Sequence, residues 1–188
     1  ASNKKELFLT FDDGPTPDVT EFVLSELRKY NAKATFFCIG KNIKNHPDIF
    51  KQIISDGHTV GNHTQNHLNG WKTRNTTYIN NTLECEKYLS NIKSTSKIFR
   101  PPYGKIKKHQ AKELFKKGYK IILWDVLSAD FDTSISKEKC LSNVINNTKK
   151  GSIVVFHDSV KASERMQYAL SKMLEYFSER GYVFKAIK

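Results

Sequence analysis

His63 and His67, in the run His63-Thr64-Gln65-Asn66-His67, stand four residues apart, so one turn of helix or a tight loop brings both imidazoles to one side. That is metal-ligand spacing, although two histidines four apart are, taken alone, more often incidental. Asp12 and Asp13 add paired carboxylates at the end of the apolar run Leu7–Phe11. A carboxylate beside both histidines makes a His₂Asp set with a fourth position open for water, the pattern of a catalytic zinc site and not of a structural one. Adjacent side chains at a strand end point in different directions. One aspartate can therefore hold the ion while its neighbour acts as general base. Asp13-Gly14-Pro15 is equally good turn chemistry, and the two readings are compatible.

The chain must supply elements that bring these residues together. Short β-branched and aromatic runs alternate with segments of helical period, which implies βα units and a parallel sheet. The predicted strands are Leu7–Phe11, Ala34–Ile39, Thr59–His63, Ile98–Arg100, Lys120–Val126, Ser152–His157 and Tyr182–Ile187. Helical spacing is clearest at Val19, Phe22, Val23 and Leu27 and from Met166 to Phe177; weaker patterns cover Pro47–Ser55, Tyr78–Ile92, Gln110–Lys117 and Lys137–Asn147. Seven strands and six helices without a GxGxxG after the first strand, or a P-loop lysine, argue against a nucleotide-binding doubly wound sheet. A (β/α) barrel of fewer than eight units fits better, and its working rim lies at the carboxyl ends of the strands. Asp12 and Asp13 close the first strand, His63 the third, Arg100 the fourth, and His157 with Asp158 the sixth, while Asp130 follows the fifth. All of them converge on one rim.

Composition agrees with one ordinary globular domain spanning residues 1–188: 38% hydrophobic, 12% aromatic and 27% charged, with no linker, repeat or composition break. A domain of this size buries roughly 70% of its unfolded surface, so any metal is for chemistry and not a staple. Cys38, Cys85 and Cys140 are odd in number and lack a CxxC pair, and read as buried free thiols. No apolar run reaches the length of a membrane span. The net charge of +12 raises anionic polymers or nucleic acid as partners. Its dispersal lowers that expectation, and the lysine-dense stretch from Lys105 to Lys120 reads as the solvated face of a helix.

Four motifs in order, Thr10-Phe11-Asp12-Asp13-Gly14-Pro15, His63-Thr64-Gln65-Asn66-His67, Arg100-Pro101-Pro102-Tyr103-Gly104 and Ile153-Val154-Val155-Phe156-His157-Asp158, resemble those of the polysaccharide deacetylases, metal-dependent carbohydrate esterases with a NodB-homology domain. The resemblance implies an α/β fold, a distorted (β/α) barrel with about seven parallel strands, that removes acetyl groups from glycans. It implies that Asp13, His63 and His67 bind one divalent ion, with Asp12 as general base and His157 as general acid. Arg100 would pair with Asp12, Asp130 would tune His157, Thr64 would bond within the metal loop, and the Tyr103 backbone N–H would help hold the oxyanion. Zn²⁺ suits the ligands, although Co²⁺ or Ni²⁺ also fit imidazole and carboxylate. One motif departs from the family: after Trp124-Asp125-Val126 the chain reads Leu127-Ser128-Ala129-Asp130-Phe131, with Leu127 and Phe131 where relatives carry Asp and Trp. Leu127, together with Phe156, is expected beside the acetyl pocket.

Other residues read more blandly. His58 is expected to be structural and His46 and His109 exposed, while Trp71 either stacks on a sugar or covers the core. The sequon at Asn62 abuts His63, leaving no room for a glycan. The leading expectation is deacetylation of an N-acetylglucosamine-containing wall or chitin-like polymer, outside the cytoplasm, with an acetylated glycan as partner and no nucleic acid. An acetylxylan esterase or small-amide hydrolase is the rival within the superfamily, and an inactive anionic-polymer or nucleic-acid binding module the rival of another class.

Overall fold

Leu7, Leu9 and Phe11 alternate with Phe8, Thr10 and Asp12 along the first strand, and both sets are largely buried. A strand covered on both faces belongs in the middle of a parallel sheet, and β1 (Glu6–Asp13) lies there. The structure, a computed structural model, describes residues 5–90 and 97–188. Its strands are β1, β2 (Thr35–Cys38), β3 (Thr59–Asn62), β4 (Ile98–Phe99), β5 (Lys120–Ile121), β6 (Val126–Leu127), β7 (Ile153–His157) and β8 (Val183–Phe184). They pair in parallel in the order β5-β4-β3-β2-β1-β7-β6, with β8 set against the start of β1. The sheet curls into a distorted barrel. Its helices are α1 (Val19–Lys29), α2 (Gly40–Asn45), α3 (Pro47–Ser55), α4 (Asn75–Leu89), α5 (Lys108–Lys116), α6 (Lys137–Asn147) and α7 (Ser163–Glu179).

The period of two divides the sheet's faces. Leu7, Leu9, Phe11, Phe36, Val154 and Phe156 join Val23, Leu27, Leu170 and Met173 of α1 and α7 in the main core. Phe11 is central, stacked on Phe36 at 5.1 Å and on Phe156 at 6.0 Å. A smaller cluster of Tyr78, Ile79, Phe99, Leu114 and Tyr119 seats α4 and α5 over the far edge. The other face of β1 turns into the barrel, where Thr10 and Asp12 meet Arg100.

Three expectations change. The single strand expected over Lys120–Val126 is two short strands, because β5 pairs with β4 while β6 pairs with β7. Among the described residues β5 and β6 make no pairing with each other, so the segment between them crosses an open seam. Its carbonyls at Ile122 and Leu123 accept from Arg100 Nε and Nη2 at 3.1 and 3.2 Å instead of from a neighbouring strand. The last strand shrinks to two residues and does not occupy an eighth barrel position. Helix α2 was not expected, and the last two residues of the helix expected over Tyr78–Ile92 lie outside the described residues. All three cysteines are free and buried.

Candidate active site

At the carboxyl ends of β1 and β3 the side chains of Asp13, His63 and His67 converge, their ligand atoms lying within 4.8 Å of one another. The backbone is forced there. Asp13 (φ 89°), Thr64 (φ 63°) and His67 (φ 54°) all take left-handed conformations unfavourable for residues with a Cβ. Each loop is pinned accordingly. Asn42 Nδ2 donates to the Asp13 carbonyl at 2.8 Å. Asn81 Oδ1, from α4, accepts the Gln65 and Asn66 N–H groups at 3.0 Å each, and Thr64 Oγ1 accepts the Leu68 N–H at 3.2 Å.

His63 Nδ1 donates to the Arg100 carbonyl at 2.7 Å, which leaves Nε2 as a lone pair facing Asp13 at 3.7 Å. Burial holds the His63 imidazole neutral, its pKa lowered to about 4. His67 Nε2 lies 3.2 Å from the same Asp13 Oδ1. That oxygen is buried and accepts no hydrogen bond among the described residues. Burial works against ionising Asp13, yet the surrounding imidazoles of His67, His63 and His157 bring its carboxyl down to about 2. A neutral imidazole, a second imidazole and an orphaned anionic oxygen form the donor set a divalent ion requires.

Beside this triad stand two carboxylate–cation pairs. Arg100, fully buried, donates Nη1 to Asp12 Oδ1 at 2.8 Å and to Thr10 Oγ1 at 2.7 Å. Its guanidinium carbon lies over the ring of Phe37 at 4.2 Å and over that of Trp124 at 5.4 Å. Across the cavity, Asp130, also fully buried, accepts from His157 twice, from the backbone N–H and from Nδ1, both at 2.7 Å. Burial alone would lower the His157 pKa, but the Asp130 carboxylate and the negative charge of Asp12 and Asp13 overcome it and hold it at about 9. Arg165 Nε donates to the Asp130 carbonyl at 2.8 Å and fixes that loop.

The groups open on one cavity of about 540 Å³ lined by Asp12, Asp13, His63, His67, Tyr103, Trp124, Leu127, Phe131 and His157, with Lys105, Ser159 and Lys161 at its edge. Tyr103 has φ 60° and lays its ring against His67, 4.6 Å between centroids. Leu127 and Phe131, the departures from the family pattern, are both half-exposed in the wall. Phe156 is not in it. It points to the helix-packed core because its neighbour His157 points to the cavity, and successive residues of a strand alternate.

The expectation that Lys105–Lys120 forms the solvated face of a helix holds only in part: α5 starts at Lys108, and Lys105 lines the cavity. Trp124, within a quoted motif, and Lys161 and Asn81, which follow no pattern of spacing, were given no role. His58 is structural, its Nδ1 accepting the Ala34 N–H at 3.2 Å, while His46 is half-buried at the junction of α2 and α3 and not exposed as expected. A wider hollow of about 910 Å³ at the opposite end of the barrel, lined by residues such as Lys33, His58 and Lys185, gathers no ligand or acid–base set.

The family model described as polysaccharide deacetylase matches residues 1–122. A peptidoglycan-N-acetylglucosamine deacetylase of Bacillus cereus is 35% identical over 187 residues, covering 99% of this chain and 88% of its own. A chitooligosaccharide deacetylase of Azorhizobium caulinodans is 33% identical over 86% of this chain and 78% of its own. The solved structure of a peptidoglycan N-acetylglucosamine deacetylase in complex with 4-naphthalen-1-yl-N-oxidanyl-benzamide superposes with a TM-score of 0.91 at 33% identity, covering 98% of this chain and 87% of the other.

Proposed function

Because the chain belongs to the polysaccharide deacetylase family, we propose that it hydrolyses the acetyl amide of N-acetylglucosamine units in a peptidoglycan-like polymer, using one divalent ion held by Asp13, His63 and His67. The observation that carries this reading is the placement of the two buried carboxylate–cation pairs, Asp12–Arg100 and Asp130–His157, around the cavity that holds the ligand triad. Zinc is the ion of choice on ligand type. Such an ion supplies Lewis acidity, polarising the acetyl carbonyl and making water acidic enough to attack near neutral pH.

The residues do the rest. Arg100 occupies Asp12 Oδ1, so the second carboxylate oxygen is the one that takes a proton from the attacking water. His157 Nδ1 is engaged by Asp130, so Nε2 is the nitrogen that delivers a proton to the leaving sugar amine. With its pKa raised to about 9, it carries that proton at neutral pH. The Tyr103 backbone N–H, on a left-handed turn in the cavity wall, is our candidate donor to the oxyanion. Leu127 and Phe131 supply an apolar wall for the acetyl methyl. The products are acetate and a free amine on the sugar.

The reading treats residues 1–188 as one NodB-homology domain, since the last strand pairs with the first. A wall polymer as substrate places the reaction outside the cytoplasm. The deciding experiment measures acetate release from acetylated wall glycan, chitin oligomers and acetylxylan, with chelator and after adding back zinc. Loss on chelation and recovery with zinc on the N-acetylglucosamine substrates is the expected result. Acetate release that ignores the chelator, or is confined to acetylxylan, would sink it.

A further inference from the structure

Histidines four residues apart face one way on a helix, but His63 and His67 are not on one. Left-handed backbone at Thr64 and His67 breaks the segment into a tight loop, so its amide groups cannot pair along the chain as a helix would pair them. Three successive N–H groups must find acceptors elsewhere, and two asparagine side chains supply them. Asn62 Oδ1 accepts the Thr64 N–H at 2.9 Å. Asn81 Oδ1 accepts the next two, from Gln65 and Asn66, at 3.0 Å each. The carbonyls are taken as well: those of Thr64 and Gln65 accept from the Gly40 and Lys41 N–H groups at 3.0 Å each. All of these partners lie outside the loop they hold.

Asn81 stands apart because it comes from α4, 16 residues along the chain from Gln65. It is buried, supplies no ligand and does not line the catalytic cavity. Two N–H donors converging on one atom identify that atom as the amide oxygen. Its anchorage is firm. The next residue of α4 also holds Asn62, whose Nδ2 donates to the Thr82 carbonyl at 2.9 Å, and α4 is seated through Tyr78 and Ile79 in the cluster with Phe99 and Tyr119. A ligand loop already held in place loses less freedom when an ion binds, so the ion binds more tightly. We propose that Asn81 is a positioning residue for the metal centre: by gathering the Gln65 and Asn66 N–H groups on one oxygen, it holds the His63–His67 loop in ligand geometry before any ion arrives, and so sets the affinity for the ion. The proposal rests on the reading of Asp13, His63 and His67 as the ligand set and names a residue outside the site that prepares it.

The test measures zinc affinity by competition with a chromophoric chelator for the wild type, Asn81→Leu and Asn81→Asp, together with backbone amide exchange in the metal-free wild type and acetate release by the zinc-loaded wild type. Asn81→Leu removes the acceptor at similar size and should weaken zinc binding roughly 10–100-fold, the usual effect of losing a group that orients metal ligands. Asn81→Asp keeps an acceptor oxygen in the same place and should bind zinc within about threefold of the wild type. In the metal-free wild type the Gln65 and Asn66 amides should already exchange about 100-fold more slowly than in an unstructured chain. Wild-type affinity in Asn81→Leu, a loss in Asn81→Asp as large as in Asn81→Leu, or unprotected exchange of both amides before zinc is added overturns the positioning role. The exchange measurement decides the matter even where Asn81→Leu does not fold. A wild type that binds no zinc overturns the ligand set and the positioning role with it. Asn81-dependent zinc binding with no acetate released overturns the deacetylase reading and leaves the positioning role standing.

Discussion

In the proposed mechanism the proton supply depends on Asp130. Without it, burial would strip His157 of its charge. With it, and with the negative field of Asp12 and Asp13, the imidazolium persists to about pH 9. The rate on an acetylated oligosaccharide should accordingly fall as pH rises through about 9, and in Asp130→Asn this falling limb should move to lower pH. A pH profile of kcat/KM for the two proteins reads this directly; an unmoved limb would mean another group supplies the proton. The adjacent aspartates should separate as sharply. Asp12→Asn should retain the metal, measured by elemental analysis, while kcat falls by roughly 10²–10⁴; Asp13→Asn should lose the metal, the reverse pattern exchanging the two roles. These residues could be located from their types because acids and imidazoles ending apolar strands have few structural duties. Phe156 could have been placed correctly by the same reasoning. Once His157 faces the cavity, a period of two sends its neighbour into the core.

At the level of elements, the β1 turn is held by Asp158 at the end of β7. Its Oδ1 accepts the Gly14 N–H at 2.9 Å and its Oδ2 accepts from Thr20 Oγ1 at 2.6 Å. A Cβ on Gly14 would lie 2.0 Å from Oδ2. Gly14→Ala must push the turn off β7, and thermal or denaturant unfolding should show a loss of about 1–3 kcal/mol together with reduced metal affinity. Burial raises the Asp158 pKa from 3.8 to about 8. The folded protein thus keeps a proton that the unfolded chain gives up, and stability falls as pH rises from about 4 to about 8. Asp158→Asn should flatten that slope in melting curves; an identical slope would show that the decline comes from elsewhere. Strands buried on both faces, β1, β2 and β7, were legible because largely continuous apolar runs leave little alternative. The division of Lys120–Val126 was not legible, since Ile, Leu and Trp suit a strand whether or not a partner exists. Helix α2 has six residues, too few to show a period, and is seated by Gly40 packing under Gln65, where a Cβ would come within 2.0 Å of Oε1.

For the molecule as a whole, the core is assembled without the ion. The thirty or so apolar side chains packed between the sheet and its helices include no ligand of the candidate centre. Chelation should therefore abolish activity while shifting the melting temperature by far less than removal of a structural zinc would; collapse of the fold on chelation would contradict this. The net charge of +12 adds a general attraction to anionic wall polymers, which should weaken as salt rises through the physiological range and leave neutral chitin oligomers nearly unaffected. The open seam between β5 and β6 bears on the solubility of the protein. A barrel that does not close leaves two strand edges, each an invitation to pair with a neighbouring molecule. Here the edges are two residues long, and a buried guanidinium caps the carbonyls between them. Removing Arg100 would uncover a sticky margin as well as disorient Asp12. Arg100→Ala should scatter light on mild heating at protein concentrations where Asp12→Asn stays clear, if the side chain proposed to position the base also guards the barrel against self-association.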